Sequence, residues 1–257
     1  MTFEISVIIV TKNEQDRIEE CIMSILEHTQ DYKTEVILVD SNSSDKTVNI
    51  AKKYPVKIYK ITQDEYCSAS AGRYIGVNKS NGENLLFIDG DMVLTNNWIK
   101  TALDLLDKNP SLAGVSPQIN SDDYVNTEIN GDIIERKNSY FSVQRLGGLG
   151  LYDRDLFLQS GGFDPDLPGY GDVDLGYRIK RSGFELGVLS LVGCEHPKRP
   201  KTVNELVRRW NAGHYVGMGM VLRKSINDPV LLLKHIHRLK WTLAIPIHLL
   251  IALGSIW

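Results

Sequence analysis

Asp89 and Asp91 flank Gly90 directly after an apolar run at 85–88. Two carboxylates so placed at the end of a buried strand are costly unless a cation or donors lie near them. Hard oxygen ligands select Mg2+ or Mn2+, and such ions usually complete their shells with substrate phosphates. Gly90 allows a tight turn and the close approach of a phosphate. An acidic turn on a solvated edge has the same composition. Asp40 ends another apolar run, in Val39-Asp40-Ser41-Asn42-Ser43-Ser44-Asp45. Its carboxylate can accept hydrogen bonds from a base N–H or a ribose hydroxyl. Asp45 opens the following helical stretch and is the better cap. Thr11-Lys12-Asn13-Glu14 follows the first apolar run. Such a turn suits a nucleotide at a sheet edge, or simple capping of the next helix. It contains no glycine, which argues against a dinucleotide fingerprint and against a glycine-rich triphosphate cradle.

These residues need elements to hold them, and the first 120 residues supply a regular alternation. Short apolar runs at 5–10, 35–39, 56–61 and 85–88 read as buried strands. Helical patterns lie between and after them, at 16–28, 45–54, 68–80 and 98–106; Ile18, Ile22, Ile25 and Leu26 share one helical face. This alternation predicts right-handed crossovers and an open, Rossmann-like, mostly parallel sheet flanked by helices. Ligands of such sheets sit at the carboxyl ends of the strands, where Thr11, Asp40 and Asp89 fall. The second half is less regular. Gly147-Gly148-Leu149-Gly150 precedes a short strand, 161–171 is a glycine- and proline-rich loop, and 172–181 and 203–212 read as helices.

With 257 residues, the chain suits one α/β domain over 1–225 and a C-terminal helical extension over 226–257. The net charge of −3 gives no basic excess for neutralising nucleic-acid phosphates. Three widely spaced cysteines, Cys21, Cys67 and Cys194, form no disulfide or zinc pattern and predict a reducing, cytoplasmic setting. The N-terminus lacks the basic region of a secretory signal. The last 17 residues, 241–257, carry no Asp, Glu, Lys or Arg and follow the basic Lys234, Arg238 and Lys240. That tail predicts contact with the cytoplasmic face of a membrane, as a short span or, given Pro246 and His248, as an interfacial helix. The alternative is a core helix that closes the domain.

Taken in order, the motifs resemble those of the family 2 glycosyltransferases, which have the GT-A fold. The resemblance runs through Ser6-Val7-Ile8-Ile9-Val10-Thr11-Lys12-Asn13-Glu14, Val39-Asp40-Ser41-Asn42-Ser43-Ser44-Asp45, Ala69-Ser70-Ala71-Gly72-Arg73-Tyr74-Ile75-Gly76 and Phe87-Ile88-Asp89-Gly90-Asp91. It continues through Gly147-Gly148, Gly161-Gly162-Phe163-Asp164 and Asp172-Val173-Asp174-Leu175-Gly176-Tyr177-Arg178.

The resemblance implies inverting transfer of a sugar from a nucleotide diphosphate, with UDP expected, to a hydroxyl of a glycan or lipid-linked acceptor. Cell-surface polysaccharide or glycoconjugate synthesis would be the setting. By the same resemblance, Thr11, Asn13, Glu14 and Asp40 line the base and ribose pocket, and Arg73 and Asp89 lie at the nucleotide. Asp91 binds Mn2+ or Mg2+, and Asp172 is the base that deprotonates the acceptor. Gly171 stands where the family usually has a glutamate, a departure that bears on acceptor contacts. Asp172 reads equally as a helix N-cap, and Asp174 as a first-turn partner of the helix dipole. His196 matches a third metal ligand of some GT-A enzymes, or else a structural loop histidine. Lys198, Arg199, Lys201, Arg208 and Arg209 either cover a diphosphate or form an ordinary basic face. Arg209-Trp210 is similar to a motif of processive synthases, but Leu206 stands where that motif needs Gln or Arg. A nucleotide-sugar-binding protein without transfer activity is the competing class, and release of nucleoside diphosphate on adding acceptor separates the two.

Overall fold

The computed structural model describes residues 3–62, 67–120, 133–137, 139–196 and 213–224, with positions 202, 203, 207, 210 and 226. Most of the expected helix at 203–212, and the extension from 227 onward, lie outside the described residues, as do Lys198, Arg199, Lys201, Leu206, Arg208 and Arg209. Among the described residues, no helix is long and apolar enough to cross a membrane.

The first half follows the expected alternation. Strand β1 (Phe3–Thr11) leads to helix α1 (Ile18–His28), β2 (Thr34–Asp40), α2 (Thr47–Ala51), β3 (Lys57–Lys60), α3 (Ala69–Asn78) and β4 (Gly82–Asp89). β1 pairs in parallel with β2 on one side and β4 on the other, and β2 pairs in parallel with β3. The continuous apolar run of β1 is explained by burial on both faces. Val7 and Ile9 pack with Ile18, Ile22 and Ile25 of α1, whereas Ile8 and Val10 pack with Leu85, Phe87 and Val77 on the other face. Register then fixes the chemistry: Thr11 lies opposite Asp40, and Val10 opposite Asp89. One row of backbone thus brings three candidate residues to a single carboxyl edge.

Beyond β4 the sheet becomes mixed. The remaining elements are β5 (Val93–Leu94), α4 (Trp98–Lys108), β6 (Leu112–Asn120), β7 (Ile133–Arg136), β8 (Tyr140–Val143), β9 (Gly150–Asp153), α5 (Arg154–Gln159), α6 (Gly171–Arg181), β10 (Glu185–Glu195) and α7 (His214–Lys224). Among the described residues, ten strands form one sheet of order β3-β2-β1-β4-β9-β6-β10-β8-β7, with β5 joined to β10. β9 lies antiparallel to both β4 and β6, while β10 runs parallel to β6 and antiparallel to β8. The parallel expectation therefore holds for β1 to β4, and the antiparallel members are additions of the second half. β5 pairs with the end of β10, Leu94 opposite Cys194 and Val93 opposite Glu195. That short pairing carries the chain after β10 back to the turn holding Asp91.

Candidate active site

The turns after β1 and β2 are laced together. Asn13 adopts a left-handed φ of 57°, a conformation that Asn tolerates better than most residues. Its N–H donates to Ser43 Oγ at 2.9 Å, and its Oδ1 accepts from the Ser44 N–H at 2.9 Å. The Glu14 N–H donates to Thr47 Oγ1 at 2.7 Å. Asp45 accepts the Thr47 N–H at 2.9 Å, satisfying the start of α2, and accepts the Gln15 N–H at 3.1 Å through its other oxygen. The capping position itself is Lys46, with no side-chain cap bond, so Asp45 acts from one residue before the cap rather than as the cap read from the sequence. Two polar atoms remain at the base of these turns. Asp40 is fully buried; its Oδ2 accepts the Ser43 N–H at 3.0 Å, but Oδ1 has no partner among the described residues. Thr11 Oγ1, also buried, has none either. Leaving such atoms unpaired costs on the order of 1–3 kcal/mol each, and a ligand bearing a donor at this edge would recover it.

Arg73 and Asp89 form the next part of the site. Ser68 caps α3 by accepting the Ala71 N–H at 3.0 Å, and one turn further Arg73 donates from Nη2 to Asp89 Oδ1 at 2.6 Å. Arg73 is buried, with its guanidinium 5.1 Å above the Phe163 ring centre, and its Nε has no partner among the described residues. Burial pushes the Asp89 carboxyl above its ordinary pKa; Arg73 opposes this shift and the neighbouring Asp91 adds to it. Gly148 passes over the same carboxylate so closely that a Cβ there would stand 2.2 Å from Asp89 Oδ2. Only glycine leaves this oxygen its place.

Asp91 is buried, and its Oδ2 lies 3.4 Å from His196 Nε2. The His196 N–H donates to Asn120 O at 3.1 Å, which fixes the chain just beyond β10. Two ligands of one small cation, each roughly 2.1 Å from it, stand about 3 Å apart. The Asp91–His196 pair fits that requirement with little movement. Among the described residues, no group of three or more His, Cys, Asp or Glu side chains is gathered for a metal. A cation held here would draw part of its shell from elsewhere, as Mg2+ and Mn2+ do from phosphates.

Asp172 occupies the second position of α6, and its Oδ2 accepts a hydrogen bond from Arg145 Nη1. The N-cap expectation is corrected: the helix begins at Gly171, and the capping position is Tyr170, with a left-handed φ of 61° and no side-chain cap bond. Asp174 is engaged elsewhere, accepting from Arg178 Nε at 2.9 Å and Nη2 at 2.7 Å. The departure at Gly171 has a steric counterpart, since a Cβ there would stand 1.9 Å from Ser70 Oγ. The sequence reading missed Arg145 and Phe163. Arg145 precedes the Gly147-Gly148 pair without a pattern of its own, and the Gly161-Gly162-Phe163-Asp164 motif carries the resemblance without assigning Phe163 a role.

Comparison with known proteins adds independent findings. The model of Glycosyl transferase family 2 matches residues 6–158. Glycosyltransferase AglE of Haloferax volcanii is 28% identical over 212 residues, covering 76% of this chain and 67% of that protein. Other curated relatives are matched over 14% to 60% of their own lengths. Among solved structures, residues 1–349 of S. aureus TarS in complex with UDP-GlcNAc superpose with a TM-score of 0.68 at 18% identity, covering 92% of this chain and 72% of that one. The mannosyltransferase PcManGT from Pyrobaculum calidifontis, in complex with GDP-Man and Mn2+, gives a TM-score of 0.63 at 23% identity, covering 99% and 80%.

Proposed function

The chain belongs to glycosyl transferase family 2, and on that premise we propose that it moves a sugar, with inversion, from a nucleotide diphosphate to an acceptor hydroxyl. The observation that carries this reading is the 3.4 Å pairing of Asp91 with His196 beside Asp89, on the sheet edge that also bears Asp40 Oδ1 and Thr11 Oγ1, unpaired among the described residues. Asp40 Oδ1 and Thr11 Oγ1 receive the nucleoside. Asn13 shapes that pocket through Ser43 and Ser44, and Glu14 borders it. Arg73 holds Asp89 toward the nucleotide. Asp91 and His196 would hold Mn2+ or Mg2+, which when bound neutralises charge gathering on the leaving diphosphate.

Asp172 is the general base in this reading. As the acceptor oxygen bonds to the anomeric carbon and the bond to the diphosphate breaks, the acceptor proton passes to the Asp172 carboxylate. Arg145 fixes one of its oxygens. UDP-sugars are the expected donors, and a glycan or lipid-linked molecule of cell-surface synthesis the expected acceptor. The apolar tail at 241–257 would bring the enzyme to the cytoplasmic face of a membrane where such acceptors reside. Co-sedimentation of the full chain with anionic liposomes tests this last point, and a chain that stays in the supernatant without detergent would remove it.

The deciding experiment is thermal melting with a panel of UDP- and GDP-sugars, with Mn2+ and with EDTA, because a ligand of the native state raises Tm. One nucleotide class is expected to raise Tm with Mn2+, and the rise is expected to shrink in EDTA and in Asp91→Ala. The metal assignment is lost if the stabilisation is equal in all three. A protein that binds donor yet releases no nucleoside diphosphate when acceptor is added would be a binding protein on this fold.

A further inference from the structure

The stretch from Gly161 to Tyr170 leads straight into Asp172. Its glycines and prolines suggest a free loop, yet it is held from two sides. On one side Arg178 of α6 donates to Gly162 O at 2.6 Å and to Ser160 O, while its other bonds go to Asp174. On the other side lies α7, which buries Met218 and Val221. α7 runs so near the stretch that a Cβ on Gly217 would stand 2.5 Å from Gly169 O and 2.9 Å from the Gly169 N and C. At the far end of α7, Lys224 Nζ donates to Asp164 Oδ2 and lies 3.6 Å from Asp174 Oδ1. Asp164 and Asp174 thus sit between the two cations Arg178 and Lys224. The stretch ends in Tyr170, whose left-handed φ of 61° is a conformation that a bulky residue keeps only when its surroundings over-determine it.

We propose that Lys224 is a positioning residue: by tying α7 to Asp164 and Asp174 it holds the turn that aims Asp172 at the acceptor. The partners of Lys224 are Asp164 and Asp174, neither of which is assigned to donor, metal or proton transfer. Lys224 acts through the part of the stretch between Asp164 and Tyr170, so α7 sets the rate of proton removal while donor affinity is set elsewhere. The bond also draws the Asp164 carboxyl below its ordinary pKa, against the opposing effect of its partial burial. The proposal rests on the assignment of Asp172 as base.

The test compares Lys224→Met, Lys224→Arg and Asp164→Asn in the full chain by initial rates and by amide hydrogen exchange. Misplacing a catalytic group by about 1 Å costs up to about 100-fold in rate. Lys224→Met and Asp164→Asn are therefore expected to lower kcat about 10- to 100-fold, with the donor KM within about twofold of wild type. Exchange is expected to speed up at 164–170 and to stay unchanged in β1 and β4. Lys224→Arg is expected to keep most of kcat. Wild-type kcat in Lys224→Met overturns the proposal, and so does a loss in which donor KM rises and exchange quickens throughout the sheet. If the wild-type protein transfers no sugar, the reading of the site fails separately. The exchange arm still decides the clamp, because unchanged protection at 164–170 in Lys224→Met overturns it.

Discussion

Asp172 and Asp174 stand two residues apart on α6 but differ in what holds them. Arg145 takes one oxygen of Asp172, whereas Asp174 is buried and engaged by Arg178, with Lys224 nearby. Asp172 is the more exposed of the two, 22% against 6%, so the choice between them rests on access. Asp172→Asn keeps the size and can still accept from Arg145, but it removes the basicity. The variant is expected to fold and bind donor nearly normally and to lose kcat by about two to four orders of magnitude, the range for loss of a general base. Calorimetric donor affinity beside rates at saturating acceptor checks this. Near-wild-type turnover would take Asp172 out of the mechanism. Asn13 teaches a different lesson at the same scale. Its Oδ1 accepts the Ser44 N–H and so shapes the turn, and the nucleotide contact that the resemblance implies falls to its Nδ2 amide.

At the scale of elements, β1, β2 and β4 were legible because burial on both faces leaves an unbroken apolar run, and α1 because its buried residues recur every three or four positions. β6 and β10 escaped for the opposite reason. Gly114 and Pro117 interrupt one, and Gly187 and Gly193 the other, so neither offers a clean run. With β10 unread, the meeting of His196 and Asp91 had only a resemblance to support it, since it depends on the pairing of β5 with β10. The amino end of the sheet offers a test of its own. Glu35 of β2 is buried, which by itself raises its pKa. Bonds from Lys57 at 2.7 Å, the Asn81 N–H at 2.6 Å and the Ser6 hydroxyl at 2.8 Å outweigh that and hold it below the ordinary glutamate value. A depressed native pKa adds stability that is complete above the unfolded value, roughly 4.3, and is lost as pH falls through the native one. Urea unfolding of wild type and Glu35→Gln is expected to show a gap in stability at pH 7 that narrows as pH falls below the unfolded value. A gap that does not change with pH would mean that Glu35 contributes through packing.

Across the whole molecule, the first half of the chain and the stretch before α6 meet at one ring. Phe163 lies edge-on to Phe87 of β4, with centroids 5.1 Å apart, and beneath the guanidinium of Arg73. Phe163→Leu keeps the apolar bulk but removes the π face. It is expected to cost about 1–2 kcal/mol of stability and, through Arg73, to weaken donor binding several-fold. Urea melts and donor calorimetry check this; unchanged donor affinity would mean that Asp89 alone orients Arg73. The place of β9 has a further consequence, for how the chain is made. On the ribosome β4 and β6 both emerge before β9, and the strand that bonds to each of them arrives only at residues 150–153. Until then the nascent sheet has two bare edges facing an empty slot, the kind of exposed strand that recruits other chains. Truncations ending before residue 150 should therefore be prone to aggregate during synthesis, even though the strands that carry Thr11, Asp40 and Asp89 are already complete.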